Sequence, residues 1–100
     1  MISDNRTKAI FQFDTAWRGT AISITHVVRW SDGIDHIEVR SEGRVPLPIT
    51  GTGYKSHFTN PETLTDYPDA AAFVLAWLEH AASSDEWKHQ AEGARQFSLF

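Results

Sequence analysis

Hydrophobic and polar residues alternate in three successive segments of the chain. Residues 9–16 alternate loosely, with Phe11 and Phe13 on one side and Gln12 and Asp14 on the other. Residues 20–30 are more regular: Ile22, Ile24, Val28 and Trp30 share a face, with Ser23, Thr25 and Arg29 opposite. Ser31-Asp32-Gly33 has turn chemistry. Residues 34–41 then alternate again, Ile37 and Val39 inward and His36, Glu38 and Arg40 outward. A period of two, repeated with turns between, predicts an antiparallel meander with one face in solvent.

The pattern changes at residue 43. Gly43, Pro46, Pro48, Gly51 and Gly53 punctuate a stretch that reads as loop or edge strand, because proline donates nothing to a strand ladder. Residues 53–58 are long enough for a short fourth strand. The period then becomes helical. Ala70, Phe73, Val74, Trp77, Leu78 and Ala81 fall at i, i+3, i+4, i+7, i+8 and i+11, an apolar stripe suited to packing on a sheet. Pro68 fits the first turn of that helix, with Asp66 as its cap and Asp69 beside the dipole. Ser83 and Glu86 have capping-box spacing and predict a second helix from about 85 to 95, anchored by Trp87. The expected fold is α+β: an antiparallel β-meander of three to four strands followed by two C-terminal helices packed on one face. Residues 1–95 form a single domain in this reading, and residues 96–100 a tail.

Composition narrows the function. One hundred residues make one domain with room for a real core. The chain has no cysteine, which removes disulfides, zinc–thiolate sites and thiol chemistry. Met1 to Lys8 is polar, without the apolar stretch of a signal peptide, and no run approaches the length of a membrane span, so the expected location is cytoplasmic. The net charge is −4 and unevenly spread. Residues 1–60 carry seven Lys/Arg and six Asp/Glu; residues 61–100 carry two and seven. Direct binding to nucleic acid calls for a clustered basic surface, and the helical half offers none.

The candidate chemistry of the body is thin. His26 sits among Ile22, Ile24, Val28 and Trp30, the setting of a hydrogen-bonded core histidine. His36 and Glu38 could point at one metal, but no third or fourth ligand is evident, and a charged face with cross-strand pairs accounts for them. Gly51-Thr52-Gly53-Tyr54-Lys55-Ser56 fails as a P-loop, since Tyr54 and Ile49 occupy two required glycine positions. Backbone amides there could still form an anion nest, with Arg44, Lys55 and His57 as the candidate anion-binding side chains. Ser56 and His57 are adjacent, so a strand would send them to opposite faces, poorly placed as nucleophile and base. No catalytic residue, cofactor or metal site is expected, and the chain reads as a non-enzyme.

The last five residues stand apart. Gln96-Phe97-Ser98-Leu99-Phe100 places three large apolar side chains in four positions. Such a segment either folds into a core groove or threads into a partner's pocket. It resembles the bacterial sliding-clamp-binding motif, whose usual form is Gln, Leu, Ser or Asp, Leu, Phe; Phe97 stands where Leu is common. The resemblance implies a protein partner, the replication sliding clamp, with Gln96, Leu99 and Phe100 making the main contacts and Phe97 and Ser98 between them. A broader stretch, from Asp35-His36-Ile37-Glu38-Val39-Arg40 through Pro46-Leu47-Pro48-Ile49-Thr50 to Gly53-Tyr54-Lys55-Ser56-His57-Phe58, resembles small uncharacterised bacterial proteins found on plasmids and other mobile elements. That likeness implies a context and no catalytic residue.

Overall fold

Four antiparallel strands lie side by side in the order in which the chain makes them: β1 (Ile10–Trp17), β2 (Thr20–Ser31), β3 (Ile34–Ser41) and β4 (Tyr54–Thr59). The computed structural model describes residues 9–88 apart from Asp32 and Glu86. The predicted meander is present, with the short fourth strand. Two helices follow: a single turn, α1 (Pro61–Leu64), and the long α2 (Ala70–Ala82). No helix among the described residues is long and apolar enough to cross a membrane.

One face of the sheet is covered. Phe13, Ile24 and Val39 lie in one row across the strands, and His26 and Ile37 lie in the next. Against these rows α2 buries Ala70, Val74, Leu78 and Ala82, every fourth residue. Ile24, Ile37, Val39, Val74 and Leu78 are wholly sequestered. Phe73 and Trp77, expected in the same stripe, lie half-buried on its flank. The β1–β2 hairpin is tied to the helix at its turn. Trp17 Nε1–H donates to Glu79 Oε2 at 2.7 Å, and Arg18 forms a fork on the same carboxylate at 2.9 and 3.2 Å. These donors, Arg18 first and then Trp17, hold the Glu79 carboxyl below its ordinary range. Arg18 and Gly19 both have positive φ, the backbone of a two-residue hairpin whose twist suits the strands it joins.

The helix boundaries differ from expectation by a few residues. Asp69, not Asp66, caps α2: its Oδ1 accepts the Ala72 N–H at 2.8 Å. Asp66 lies instead in the turn that closes α1, where Tyr67 N–H reaches Leu64 O at 3.1 Å. Ser83 likewise belongs to the end of α2, donating to His80 O at 2.6 Å. The next cap is Ser84, whose Oγ accepts from Trp87 N–H at 3.2 Å. The backbone is helical at Asp85, Trp87 and Lys88, and Trp87 packs on the core with its ring 6.1 Å from that of Trp17. The remainder of the predicted second helix lies outside the described residues.

A bulge in β2 overturns the predicted facing of Trp30. Val27 is opposite His36, yet Ser31 is opposite Ile34, so residues 28–30 span one residue of β3. Arg29 takes up the excess at φ 57°. Alternation is broken there, and Trp30 leaves the Ile22–Ile24 face for the outer one. It packs against His36 and Phe58, with ring centroids 5.1 and 6.2 Å away.

The connection from β3 to β4 is compact. Leu47 is buried in the core, and Leu47 and Thr50 exchange backbone hydrogen bonds of 2.8 and 3.0 Å. Ser41 Oγ donates to Val45 O at 2.6 Å, and Ser41 N–H to Gly53 O at 2.8 Å. Gly53 has φ +74°, and a Cβ there would meet the Arg44 carbonyl carbon and Ser41 Oγ at 2.5 Å. Both objections are local and fixed by backbone. Gly53→Ala is therefore expected to cost roughly 1–3 kcal/mol, read as a lowered midpoint in urea unfolding.

His57 links β4 to α2. Its ring lies 6.2 Å from Phe73 and 4.6 Å from Trp77. Burial, then the charges of Lys55 and His36, lowers its pKa from the ordinary 6.5. In the unfolded chain the ring regains that ordinary value, so between the two pKa values the unfolded state binds more protons. The stability due to neutral His57 is thus complete above the ordinary pKa and declines as pH falls towards the lowered one. Thermal melts from about pH 8 to about pH 5 are expected to show a smaller loss of stability in His57→Gln than in the parent chain.

Candidate functional site

A cleft of about 260 Å³ opens on the inner face, between the β1–β2 hairpin and the link from α1 to α2. Its walls are mostly apolar: Phe11, Phe13, Leu64, Tyr67 and Pro68. The inner-face histidine of β2, His26, is exposed to it. Behind that ring lies Asp35, whose side chain is only 4 % exposed. Asp35 Oδ2 is 2.8 Å from His26 Nε2, and Oδ1 accepts the Arg29 backbone N–H at 2.9 Å. The expectation of a hydrogen-bonded core histidine thus holds for His26, and its partner is a carboxylate from the neighbouring strand. Asp69, the cap of α2, completes the rim. A histidine oriented by a buried carboxylate beside a cleft can accept or deliver one proton or one hydrogen bond at its other nitrogen.

The outer face carries a different arrangement. Ile10, Val27, His36 and Phe58 form one row across all four strands. His36 is buried beneath Trp30 and Phe58, its ring 4.7 Å from the latter, and its Nε2 is 2.7 Å from Ser56 Oγ. The bulge that brings Trp30 here makes this end of the face aromatic where the sequence suggested charge. The charged part lies farther along β3. Glu38 accepts the Tyr54 hydroxyl at 2.7 Å, a bond that raises the phenol above its ordinary pKa. The Arg40 and Arg44 guanidinium groups lie over the Tyr54 ring at 5.5 and 5.7 Å.

The candidate anion-binding side chains are divided between these faces. Arg44 stacks on Tyr54, on the outer side. Lys55 and His57 follow the inner pleat, opposite Val39 and Ile37. Ser56 and His57 are separated in the same way, Ser56 bonded to His36 and His57 set against Phe73 and Trp77. The loop itself lines a further cleft of about 230 Å³, where Leu47, Pro48, Ile49 and Gly51 face Ser84 and Trp87. Among the described residues no three His, Asp or Glu side chains are grouped to hold a metal ion. Gln96, Phe97, Ser98, Leu99 and Phe100 lie outside the described residues.

Sequence reasoning missed the partnership of His26 with Asp35. Asp35 follows the turn, and Ile37 and Val39 are two and four residues on, on the same pleat. That spacing was the available signal for an inward carboxylate.

Comparison with curated proteins gave no match, and neither did comparison with solved structures. A family model does match: the one described as KlcB third domain, over residues 10–87. That span runs from the first residue of β1 to Trp87, and so takes in the whole sheet, the cleft and α2. The chain belongs to the KlcB third domain family.

Proposed function

We propose that this chain is a non-enzymatic binding or accessory protein that docks to the DNA replication sliding clamp through Gln96-Phe97-Ser98-Leu99-Phe100. The observation that carries the reading is the order of side chains in that segment: an amide, then apolar residues ending in Leu-Phe, the form of a short peptide that inserts into an apolar pocket. In this reading the helix entered at Asp85 continues to about residue 95 on the same face of the sheet as α2. Residues 1–95 are then one folded body that carries the motif. The protein works in the cytoplasm, and the likeness of residues 35–58 to mobile-element proteins gives its setting. The likeness supplies no activity for the body, and the clamp would determine where it acts.

A titration of purified clamp with the full chain, and with a chain ending at Arg95, tests this. Saturable binding is expected of the first and none of the second; equal affinity removes the proposal. The melting temperature of the shortened chain is expected to match that of the full one. A steep fall, from loss of two Phe and one Leu at about 1.5–3 kcal/mol each, would assign the segment to the core instead.

A further inference from the structure

We propose that the cleft between the β1–β2 hairpin and the α1–α2 link is a binding site for a guanidinium or ammonium group on a short apolar stem. Three properties of the cleft point to this chemistry. Its volume, about 260 Å³, lies below the range of drug-sized sites and suits one long side chain or a small amine. Its walls offer the rings of Phe11, Phe13 and Tyr67, whose faces attract cations. Its polar groups are chiefly acceptors. In the neutral His26 ring Nε2–H donates to Asp35, which leaves Nδ1 with a lone pair and, among the described residues, no hydrogen-bond partner. Asp69 uses Oδ1 to cap α2, while Oδ2 makes no hydrogen bond among the described residues.

Charge selects the sign of the ligand. From Ser56 to Trp87 the sequence has no Lys or Arg, while Glu62, Asp66 and Asp69 lie on the segment that forms one wall. The Asp69 carboxylate already answers the positive end of α2. An anion would meet Asp69 with Asp35 behind His26. A purely apolar ligand would cover a ring nitrogen and a carboxylate oxygen and leave them unbonded, which is costly. A cation on an aliphatic stem fills the apolar space and supplies the donors. This site is separate from residues 96–100 and stands or falls without them.

The test is a ¹H–¹⁵N NMR titration of the full chain with N-acetyl-arginine amide, with agmatine, and with uncharged N-acetyl-norleucine amide. Shifts confined to the neighbourhood of Phe13, His26, Tyr67 and Ala70 are expected with the charged probes and not with norleucine amide. Stronger response to arginine amide assigns the site to a peptide side chain, stronger response to agmatine to a free amine, and either supports the proposal. Asp69→Asn keeps a capping oxygen and loses the charge; Phe13→Leu keeps the apolar wall and loses the ring. Each is expected to weaken binding about fivefold. Equal shifts with norleucine amide, no shifts with either charged probe, or unchanged affinity in both variants overturns it.

Discussion

The organisation of this domain depends on a carboxylate buried on the core side of its sheet. Asp35 is almost without solvent, a position that is costly unless the carboxylate oxygens are hydrogen-bonded. Both oxygens are met, one by the His26 ring and one by the Arg29 amide. The second bond is the more consequential. Arg29 lies in the left-handed region, which a non-glycine residue adopts only when its surroundings demand it. The Asp35 carboxylate supplies part of that demand and holds the β2 bulge in place. The bulge leaves His26 on the inner face and sends Trp30 to the outer one, so one interaction sets both the polar corner of the cleft and the aromatic cluster on the far side.

The remaining architecture follows from covering one face of a four-stranded sheet with one long helix. α2 buries a row of every fourth residue, narrow enough that Phe73 and Trp77 are left at its flank. They are used there to enclose His57. At the other side of the sheet, Trp17 is a large buried ring with a donor that must be satisfied, and Glu79 of the helix accepts it. The Arg18–Glu79 pair is exposed and contributes little by itself. Its effect is to orient the carboxylate that the buried indole needs.

Much of the fold was legible because periodicity reports burial directly. The alternation at Ile22, Ile24, Ile37 and Val39 and the stripe through Val74 and Leu78 each appear as core. Periodicity fails where backbone conformation changes without a marker residue. Arg29 is in a conformation usually announced by glycine or asparagine, so the alternation of β2 was carried past it and Trp30 was given the wrong face. The capping errors have a similar origin. Asp66 and Asp69, or Ser83 and Ser84, are chemically equivalent as caps, and only the turn after α1 and the last turn of α2 decide between them. Proximity in sequence also says little about facing: Arg44 and Lys55 flank the same loop but leave it on opposite faces of the sheet. The cleft was illegible because it joins residues near 11, 26 and 69, which no local pattern connects.

The proposed cleft lies at the first turn of α2. The cleft is bounded by Asp69 and Ala70 at its first turn, whereas the chain that leads to residues 96–100 departs after its last. Thirteen helical residues separate these ends, a span of about 20 Å at 1.5 Å per residue. The cleft could change shape only if α2 moved as a unit. Its row of wholly buried residues on Ile24, Ile37 and Val39 opposes such motion, because sliding a close-packed row by even part of a turn opens voids along its whole length.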